Sequence, residues 1–123
     1  MVRLKKLWVP CFIMNIGKDE GIKVDFLGHS GFVISNGSGK SIVVDPFQVS
    51  DSYARGNKAD VILITHSHYD HCSLQDIEKL VDKDKGCIVI CTADCQSKIM
   101  KMKGVDLQVV EVGDVVELAG NLK

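Results

Sequence analysis

Short apolar runs separated by clusters of Gly, Asn, Asp and Ser dominate the chain from Lys23 onward, a pattern typical of strands and tight turns. Asn36, Gly37 and Gly39 between two of the runs predict a hairpin, since Asn and Gly tolerate positive φ. Two runs, Val61–Ile64 and Cys87–Cys91, are continuously apolar, which is typical of strands buried on both faces. The predicted strands cover residues 24–27, 32–35, 41–45, 61–64, 87–91, 107–112 and 115–118.

Two segments predict helices. Ser73 is a candidate N-cap for a helix whose apolar residues recur at helical spacing up to Val81, and Gly86 is its candidate C-cap. A second helix is expected over residues 93–103, whereas residues 47–60 lack periodicity and are expected to form a loop. Strands followed by alternating strands and helices favour an α/β or α+β domain in which helices cover one mixed sheet.

The N-terminal residues 1–22 need a separate interpretation. Basic residues precede the apolar run 7–14, which resembles a signal peptide, but Pro10 interrupts the run and no small-residue cleavage site follows. The run is also much shorter than the ~20 residues of a membrane helix. We expect residues 1–22 to be a tail or an extra strand and residues 23–123 to form the domain.

Composition narrows the class of protein. The chain has 46% hydrophobic and 25% charged residues and a formal net charge of -1, which is typical of one soluble globular domain rather than a disordered chain. The balance of 15 basic and 16 acidic residues makes nucleic acid an unlikely partner. Five cysteines, an odd number, favour a reducing, cytoplasmic setting over a disulfide framework.

Candidate chemistry is concentrated directly after the buried run Val61–Ile64, where residues 65–71 read T-H-S-H-Y-D-H. In an extended segment His66 and His68 point the same way and can hold one ion. Asp70 and His71 then lie on a tightening turn and can face a second ion. Imidazole and carboxylate ligands suit Zn²⁺ above all, and two ions roughly 3.5–4 Å apart would suit a hydrolytic reaction.

This segment resembles the T-H-x-H-x-D-H motif of the metallo-β-lactamase superfamily. Residues 27–32 and 42–47 resemble the opening strands of its lactonase-like branch, which includes ascorbate-6-phosphate lactonase-type hydrolases. The likeness extends over residues 23–118. It implies an α+β fold, the αβ/βα sandwich, of which this chain matches the N-terminal half, with a mixed sheet and helices on one face.

The resemblance also implies roles for individual residues. His66 and His68 would bind the first metal, and Asp70 and His71 the second, with Asp70 also orienting the attacking water as the catalytic residue. Asp45 and Thr65 would hold the metal loop (residues 65–71) in position without binding a metal themselves, and metal sites commonly need such outer partners. His29 is placed only near the pocket. The expected cofactor is Zn²⁺, two per complete site, with Mn²⁺ or iron as alternatives.

The chain departs from the superfamily in its ligand number. The second half of a superfamily member supplies a further His, a bridging Asp and a last His, whereas this sequence has no histidine after His71. Each metal would therefore have two protein ligands here, where a catalytic zinc normally has three.

Three functions remain open. The first is a metal-dependent hydrolase, incomplete in this chain, acting on a small-molecule lactone, ester or phosphoester. The second is a non-catalytic metal-binding half-domain. In both of these cases the chain would associate as a homodimer or with a missing C-terminal half. The third is a thiol-based redox or metal-storage module. Most cysteines are expected to be small core residues. Cys72 adjoins His71, where a nearby cation would lower its pKa, so a role as an adventitious soft ligand is left open as an alternative.

Overall fold

The computed structural model describes residues 2–6, 12–16, 22–36 and 39–117. Within these residues the strands are β1 (Val2–Lys6), β2 (Phe12–Ile16), β3 (Lys23–Gly28), β4 (Gly31–Ser35), β5 (Ser41–Val44), β6 (Val61–Ile64), β7 (Cys87–Cys91), β8 (Val105–Val109) and β9 (Val115–Glu117). The helices are α1 (Asp51–Gly56), α2 (Leu74–Leu80) and α3 (Ala93–Ile99).

A six-stranded mixed sheet in the order β3-β4-β5-β6-β7-β8 forms the body of the fold. The pairs β3–β4 and β4–β5 are antiparallel, and the pairs from β5 to β8 are parallel. Each parallel pair is connected through one helix, as parallel strands require a crossover. The predicted α+β class with a mixed sheet is therefore confirmed.

The three helices cover one face of this sheet. Ala54, Ile77 and Ile99, one from each helix, belong to a single buried cluster with the sheet residues Ile62 and Val89. The placement of the helices on one face agrees with the sequence-based expectation, and it leaves the loops at the carboxyl ends of the parallel strands free to carry side chains for a site.

The opposite face carries a second apolar cluster, which includes Val61, Leu63 and Ile90 from the central strands. Val116 of β9 packs against it. β9 belongs to a separate antiparallel three-stranded sheet in the order β2-β1-β9, so residues 2–6 and 12–16 contribute two strands to that sheet. Among the described helices, none has the length and apolar character to cross a membrane.

Two elements differ from the expectation in the helical regions. Residues 51–56, expected as part of a loop, form α1, whose N-cap Ser50 accepts a hydrogen bond from the Tyr53 amide at 3.2 Å. Only Ala54 of this short helix is buried, so its sequence has no apolar stripe. Helix α3 ends at Ile99 instead of residue 103.

The predicted cap of α2 was also wrong. The helix ends at Leu80 with Val81 as its C-cap. Gly86 has a φ of 82° and closes the following turn, where its amide donates to the Asp82 carbonyl at 2.7 Å. The predicted strand 107–112 lies earlier in the chain, as β8, Val105–Val109.

Phe26 and Phe32 form an exposed cross-strand pair with ring centroids 5.4 Å apart. They lie on the sheet face opposite the helices, at the β3–β4 end. The reason is that β3 is an edge strand of the six-stranded sheet, and the described residues place no layer over this corner.

Candidate metal centre

The histidine-rich loop leaves the carboxyl end of β6 next to the carboxyl end of β5. Val44 pairs with Leu63 in the parallel register, and the Asp45 amide donates to the Leu63 carbonyl at 2.9 Å. Because parallel strands end at the same edge of a sheet, Asp45 and Thr65 emerge side by side. The two segments that the sequence singled out therefore meet at one edge.

Asp45 is buried at this edge of the sheet, where only 2% of the residue is exposed to solvent. Its Oδ1 accepts from the Thr65 amide at 2.8 Å, and its Oδ2 accepts from Thr65 Oγ1 at 2.6 Å and from His71 Nδ1 at 2.8 Å. Three donors satisfy the carboxylate, as a buried charge requires. Asp45 thereby fixes both ends of the metal loop relative to β5.

These hydrogen bonds determine the tautomers of two predicted ligands. His71 donates its Nδ1–H to Asp45, which leaves the lone pair on Nε2. The Thr65 hydroxyl spends its proton on Asp45, so the contact of 3.0 Å between Thr65 Oγ1 and His66 Nδ1 has the imidazole as donor. His66 is therefore also left with a free Nε2 lone pair, the arrangement that metal-bound histidines commonly show.

Three side chains of types that can bind a metal ion come together at Asp70. His29 Nε2 lies 2.8 Å and His71 Nε2 lies 3.7 Å from Asp70 Oδ2. One ligand atom from each of these three residues can be chosen so that all lie within 4.8 Å of one another. The hydrogen bond from His29 is the main cause that lowers the pKa of the Asp70 carboxyl below its ordinary value, so this side chain is a carboxylate at neutral pH.

The other two predicted ligands lie beside this group. The His66 ring is 3.9 Å from the His71 ring and 4.8 Å from the His68 ring, measured between centroids. His68 is exposed and His66 is half-buried. The structure thus brings the three histidines of residues 65–71 into one row, but it draws only His71 into the close group with His29 and Asp70.

Backbone strain is concentrated where this edge is built. His29, Asp45 and Gln48 have φ values of 53°, 43° and 56°, in the left-handed region that non-glycine residues rarely adopt. Gly31 allows the close approach behind His29, because a Cβ at this position would lie 3.2 Å from the Asp45 carbonyl oxygen. The β3–β4 turn is therefore pressed against the end of β5, which brings His29 to the metal loop.

Asp94, at the start of α3, holds the metal loop from the other side. Its Oδ2 accepts from the Ser67 amide at 3.1 Å, and its other oxygen accepts from the Thr92 hydroxyl. Lys98 Nζ donates to the Ser67 carbonyl at 2.9 Å. The hydrogen bond from Thr92, followed by that from Ser67, lowers the pKa of Asp94.

A second buried carboxylate, Asp76, joins the segment after β5 to the start of α2. It is 4% exposed and accepts from the amides of Gln48 at 2.9 Å and Val49 at 2.8 Å, and from Ser73 Oγ at 2.5 Å. Sequence reasoning missed both Asp76 and Asp94. The Ser-x-x-Asp spacing of Ser73 and Asp76, typical of a helix N-terminus, was the available signal for the first.

Two aromatic rings flank the site. Phe47 packs against His29 at a centroid distance of 5.3 Å and against Tyr69 at 5.9 Å. Tyr69 is 78% exposed at the rim. Phe47 therefore gives His29 an apolar neighbour and links it to Tyr69.

The structure places Cys72 in the core and gives no support to the alternative that it is an additional soft ligand. Cys72 is buried, and burial together with the neighbouring Cys95 raises its pKa to about 12. The thiol lies on the helix side of the sheet, in the same apolar cluster as Cys91 and Cys95, instead of facing the imidazoles. It is a small core residue, and the described residues give no support to a cysteine-based metal site.

Comparison of the sequence with known protein families identifies the class of protein to which this fold belongs. Residues 23–122 match the family described as "Beta-lactamase superfamily domain". The chain therefore belongs to the β-lactamase superfamily, and the resemblance inferred from residues 65–71 is confirmed.

The individual relatives are described as metal-dependent hydrolases. The chain is 32% identical over 99 residues to a UPF0173 metal-dependent hydrolase of Thermodesulfovibrio yellowstonii, covering 75% of this chain and 36% of the relative. It is 30% identical over 105 residues to one of Thermoplasma acidophilum, covering 82% of this chain and 44% of the relative. The chain thus spans less than half the length of these curated relatives.

Two solved structures have a similar fold. One is described as a "Putative metal-dependent hydrolase" from Parabacteroides distasonis. It aligns with a TM-score of 0.56 and 31% sequence identity, and the alignment covers 67% of this chain and 36% of that protein. A metallo hydrolase of Ignicoccus hospitalis aligns with a TM-score of 0.62 over 80% of this chain and 43% of its own. At 22% identity the second likeness is one of fold alone.

The donor set of this edge fits a divalent metal ion. Imidazole nitrogens with free lone pairs and an ionised carboxylate are the ligands that zinc takes in catalytic sites. The buried Asp45, which holds His71 by its far nitrogen, is the outer partner that such ligands commonly have.

Proposed function

We propose that this chain is the metal-binding half of a metal-dependent hydrolase. The observation that carries the proposal is the Asp45 carboxylate, which orders Thr65 and His71 and, through Thr65, His66. This arrangement leaves the Nε2 atoms of His66 and His71 as acceptors, and imidazole nitrogens held in this way beside a carboxylate are common ligands of metal ions.

In this proposal His66 and His68 hold one metal, and Asp70 and His71 hold a second. Zinc is the favoured ion, with Mn²⁺ or iron as alternatives. When bound, such ions supply a water of lowered pKa and stabilise the charge that develops on the substrate oxygen. The chain's own part is to keep the ligands in place: Asp45 fixes the tautomers, Thr65 relays the contact to His66, and Asp70 orients the nucleophile.

The proposed substrate is a small molecule with a lactone, ester or phosphoester bond. The superfamily membership supports hydrolysis, and the relatives named above are described as metal-dependent hydrolases. Phe47 and Tyr69 would contact the part of the substrate next to the reacting bond, since Phe47 packs on His29 and Tyr69 packs on Phe47. The free thiols of the four described cysteines are in keeping with a cytoplasmic protein.

A second candidate, a non-catalytic metal-binding half-domain, is favoured by one specific observation. Residues 72–123 contain no histidine, so this part of the chain supplies no third imidazole to a metal held by His66 and His68. A partner, either a second copy or a C-terminal half, would then complete the site.

Metal titration followed by activity assays tests these proposals. We expect calorimetry to detect zinc binding that is lost in His71→Ala, with the fold of the variant checked by circular dichroism. The zinc-loaded chain is then assayed with a lactone, an aryl ester and an aryl phosphodiester. Turnover that Asp70→Asn abolishes supports the hydrolase, zinc binding without turnover supports the half-domain, and failure to bind zinc contradicts both.

A further inference from the structure

His29 is far in sequence from residues 65–71, yet its imidazole lies within hydrogen-bonding distance of Asp70. It lies 41 positions before Asp70, in the turn between β3 and β4, and its Nε2 is 2.8 Å from Asp70 Oδ2. The position is specific, because three features of the backbone hold it: the φ of 53° at His29, the φ of 98° at Gly28 and the close approach of Gly31 to Asp45.

The geometry of the three side chains matches one coordination sphere. With zinc-to-ligand distances of 2.0–2.1 Å, neighbouring ligand atoms of a tetrahedral site are about 3.3 Å apart. The contacts from Asp70 Oδ2 to His29 Nε2 and to His71 Nε2 are 2.8 Å and 3.7 Å, on either side of that value. All three ligand atoms lie within 4.8 Å of one another, so the group has roughly the dimensions of a single metal site.

The chemistry of each group agrees with this reading. His71 Nε2 carries a lone pair because Nδ1 donates to Asp45. Asp70 is ionised. His29 Nε2 shares a proton with Asp70, and a cation can replace that proton when the ring takes the other tautomer. Phe47 packs on the His29 ring at 5.3 Å and limits its movement away from the site.

We propose that His29, Asp70 and His71 form a complete three-ligand zinc site within this chain. The inference rests on the metal-binding part of the proposed function but changes its ligand set: this site needs no residue from a second half, whereas His66 and His68 remain a pair with two protein ligands. The first zinc equivalent therefore binds at His29, Asp70 and His71, and a second binds more weakly at His66 and His68.

Two substitutions of His29 separate a ligand from a hydrogen-bond donor. Gln at position 29 can still donate an N–H to Asp70 but is a poor zinc ligand, whereas Ala can do neither. We expect His29→Gln and His29→Ala to weaken the first zinc equivalent equally and by more than ~100-fold, beyond the ~10–100-fold typical of an outer partner. His68→Gln is expected to remove the weaker second equivalent and to spare the first.

Ring-nitrogen NMR of the zinc titration gives a direct readout that does not depend on activity. We expect the Nε2 resonances of His29 and His71 to shift together with the first equivalent, before those of His66 and His68. If His29→Gln binds the first zinc as tightly as the original chain, or if His29 Nε2 does not shift, His29 is only a hydrogen-bond donor and the inference is overturned. If the original chain binds no zinc, the proposed function itself fails.

Discussion

The Asp45 carboxylate and the His71 imidazole, 26 residues apart in sequence, are joined by a hydrogen bond of 2.8 Å between Oδ2 and Nδ1. This bond links the end of β5 to the far end of the metal loop. It also turns His71 Nε2 toward Asp70, so one contact serves both the stability of the loop and the readiness of a ligand.

The role of Asp45 can be tested by removing its charge while keeping its size. Asp45→Asn retains one acceptor oxygen but presents an NH₂ group to one of its three donors, so at least one buried hydrogen bond is lost. We expect zinc affinity to fall about 10–100-fold, as for other outer partners of metal ligands. The chain should remain folded, because the hydrophobic clusters do not depend on this residue.

Calorimetric zinc titration and circular dichroism of Asp45→Asn give the two measurements. Thr65→Val is the matched comparison: it removes the hydroxyl that joins Asp45 to His66 and leaves the Asp45–His71 bond. An Asp45→Asn chain with unchanged zinc affinity would show that the carboxylate is an ordinary strand-end residue.

Asp76 provides a prediction about stability. Its carboxylate is buried and accepts from two backbone amides, those of Gln48 and Val49, and from Ser73. Truncation leaves these donors without their acceptor. We expect Asp76→Ala to lower the free energy of unfolding by roughly 2–4 kcal/mol, from the usual cost of unsatisfied buried donors and lost bonds to a charged group.

Urea unfolding checks this value. Glu78→Ala on the same helix is the control, because the Glu78 side chain is 63% exposed and its ion pair with Lys83 spans 3.6 Å at the surface. Exposed pairs contribute about 0–1 kcal/mol. Equal losses of unfolding free energy in the two variants would contradict the stabilising role assigned to the hydrogen bonds of Asp76.

Asp94 gives a pH dependence with a definite sign. Hydrogen bonds from Thr92 and Ser67 lower the pKa of Asp94 in the folded chain from its ordinary 3.8, so folding favours the ionised form. The stabilisation is present at and above neutral pH and is lost as the pH falls below the ordinary value and through the lower folded pKa. Asp94→Asn should therefore be less stable than the original chain near neutrality, with a difference that shrinks in acid.

Unfolding curves recorded from neutral to strongly acidic pH would show this convergence. A constant gap between the two chains at every pH would mean that the loss comes from packing or from neutral hydrogen bonds, and not from the charge on Asp94.

The buried thiols predict slow chemical modification. Burial is the main cause that raises the pKa of Cys72, Cys87 and Cys91 to about 12, so very little thiolate is present at mildly alkaline pH. We expect iodoacetamide to label these three cysteines slowly in the folded chain and rapidly in guanidinium, as read by mass spectrometry. Fast labelling of Cys72 in the folded chain would show that the thiol reaches the metal edge after all.

The elements that were predicted correctly are those whose signal is local. Val61–Ile64 is apolar at every position, and all of its residues are buried in the structure, so the run alone identified a central strand. The motif that carries the family resemblance is equally local, because residues 65–71 contain all of it. By contrast, α1 buries only Ala54 and leaves no periodic pattern to detect.

The parts that were missed depend on distant segments meeting. The His29–Asp70 contact needs the β3–β4 turn, the end of β5 and the loop after β6 to share one edge, and no spacing in the sequence encodes that. The tether from Asp76 to Val49 likewise joins residues 27 positions apart. The exposure of Phe26 follows from the position of β3 at the edge of the sheet, which composition does not reveal.

The last prediction concerns the sheet face that carries Phe26. Val24, Phe26 and Phe32 are exposed by 60%, 63% and 41% on the face opposite the helices, next to the apolar cluster around Leu63. Apolar surface of this kind usually marks an interface, and a second copy or a C-terminal half is the partner proposed above. We expect sedimentation at micromolar concentration to show a dimer or larger assembly.

Phe26→Lys should shift this equilibrium toward the monomer, because it places a charge in the middle of the apolar surface. Met100→Lys is the matched control: Met100 is similarly exposed, at 61%, but follows α3 on the helix side of the sheet. Its substitution should leave the association unchanged. A chain that sediments as a monomer before any substitution, with Val24 and Phe26 still exposed to solvent, would rule out self-association through this face and leave a C-terminal half as the partner to test.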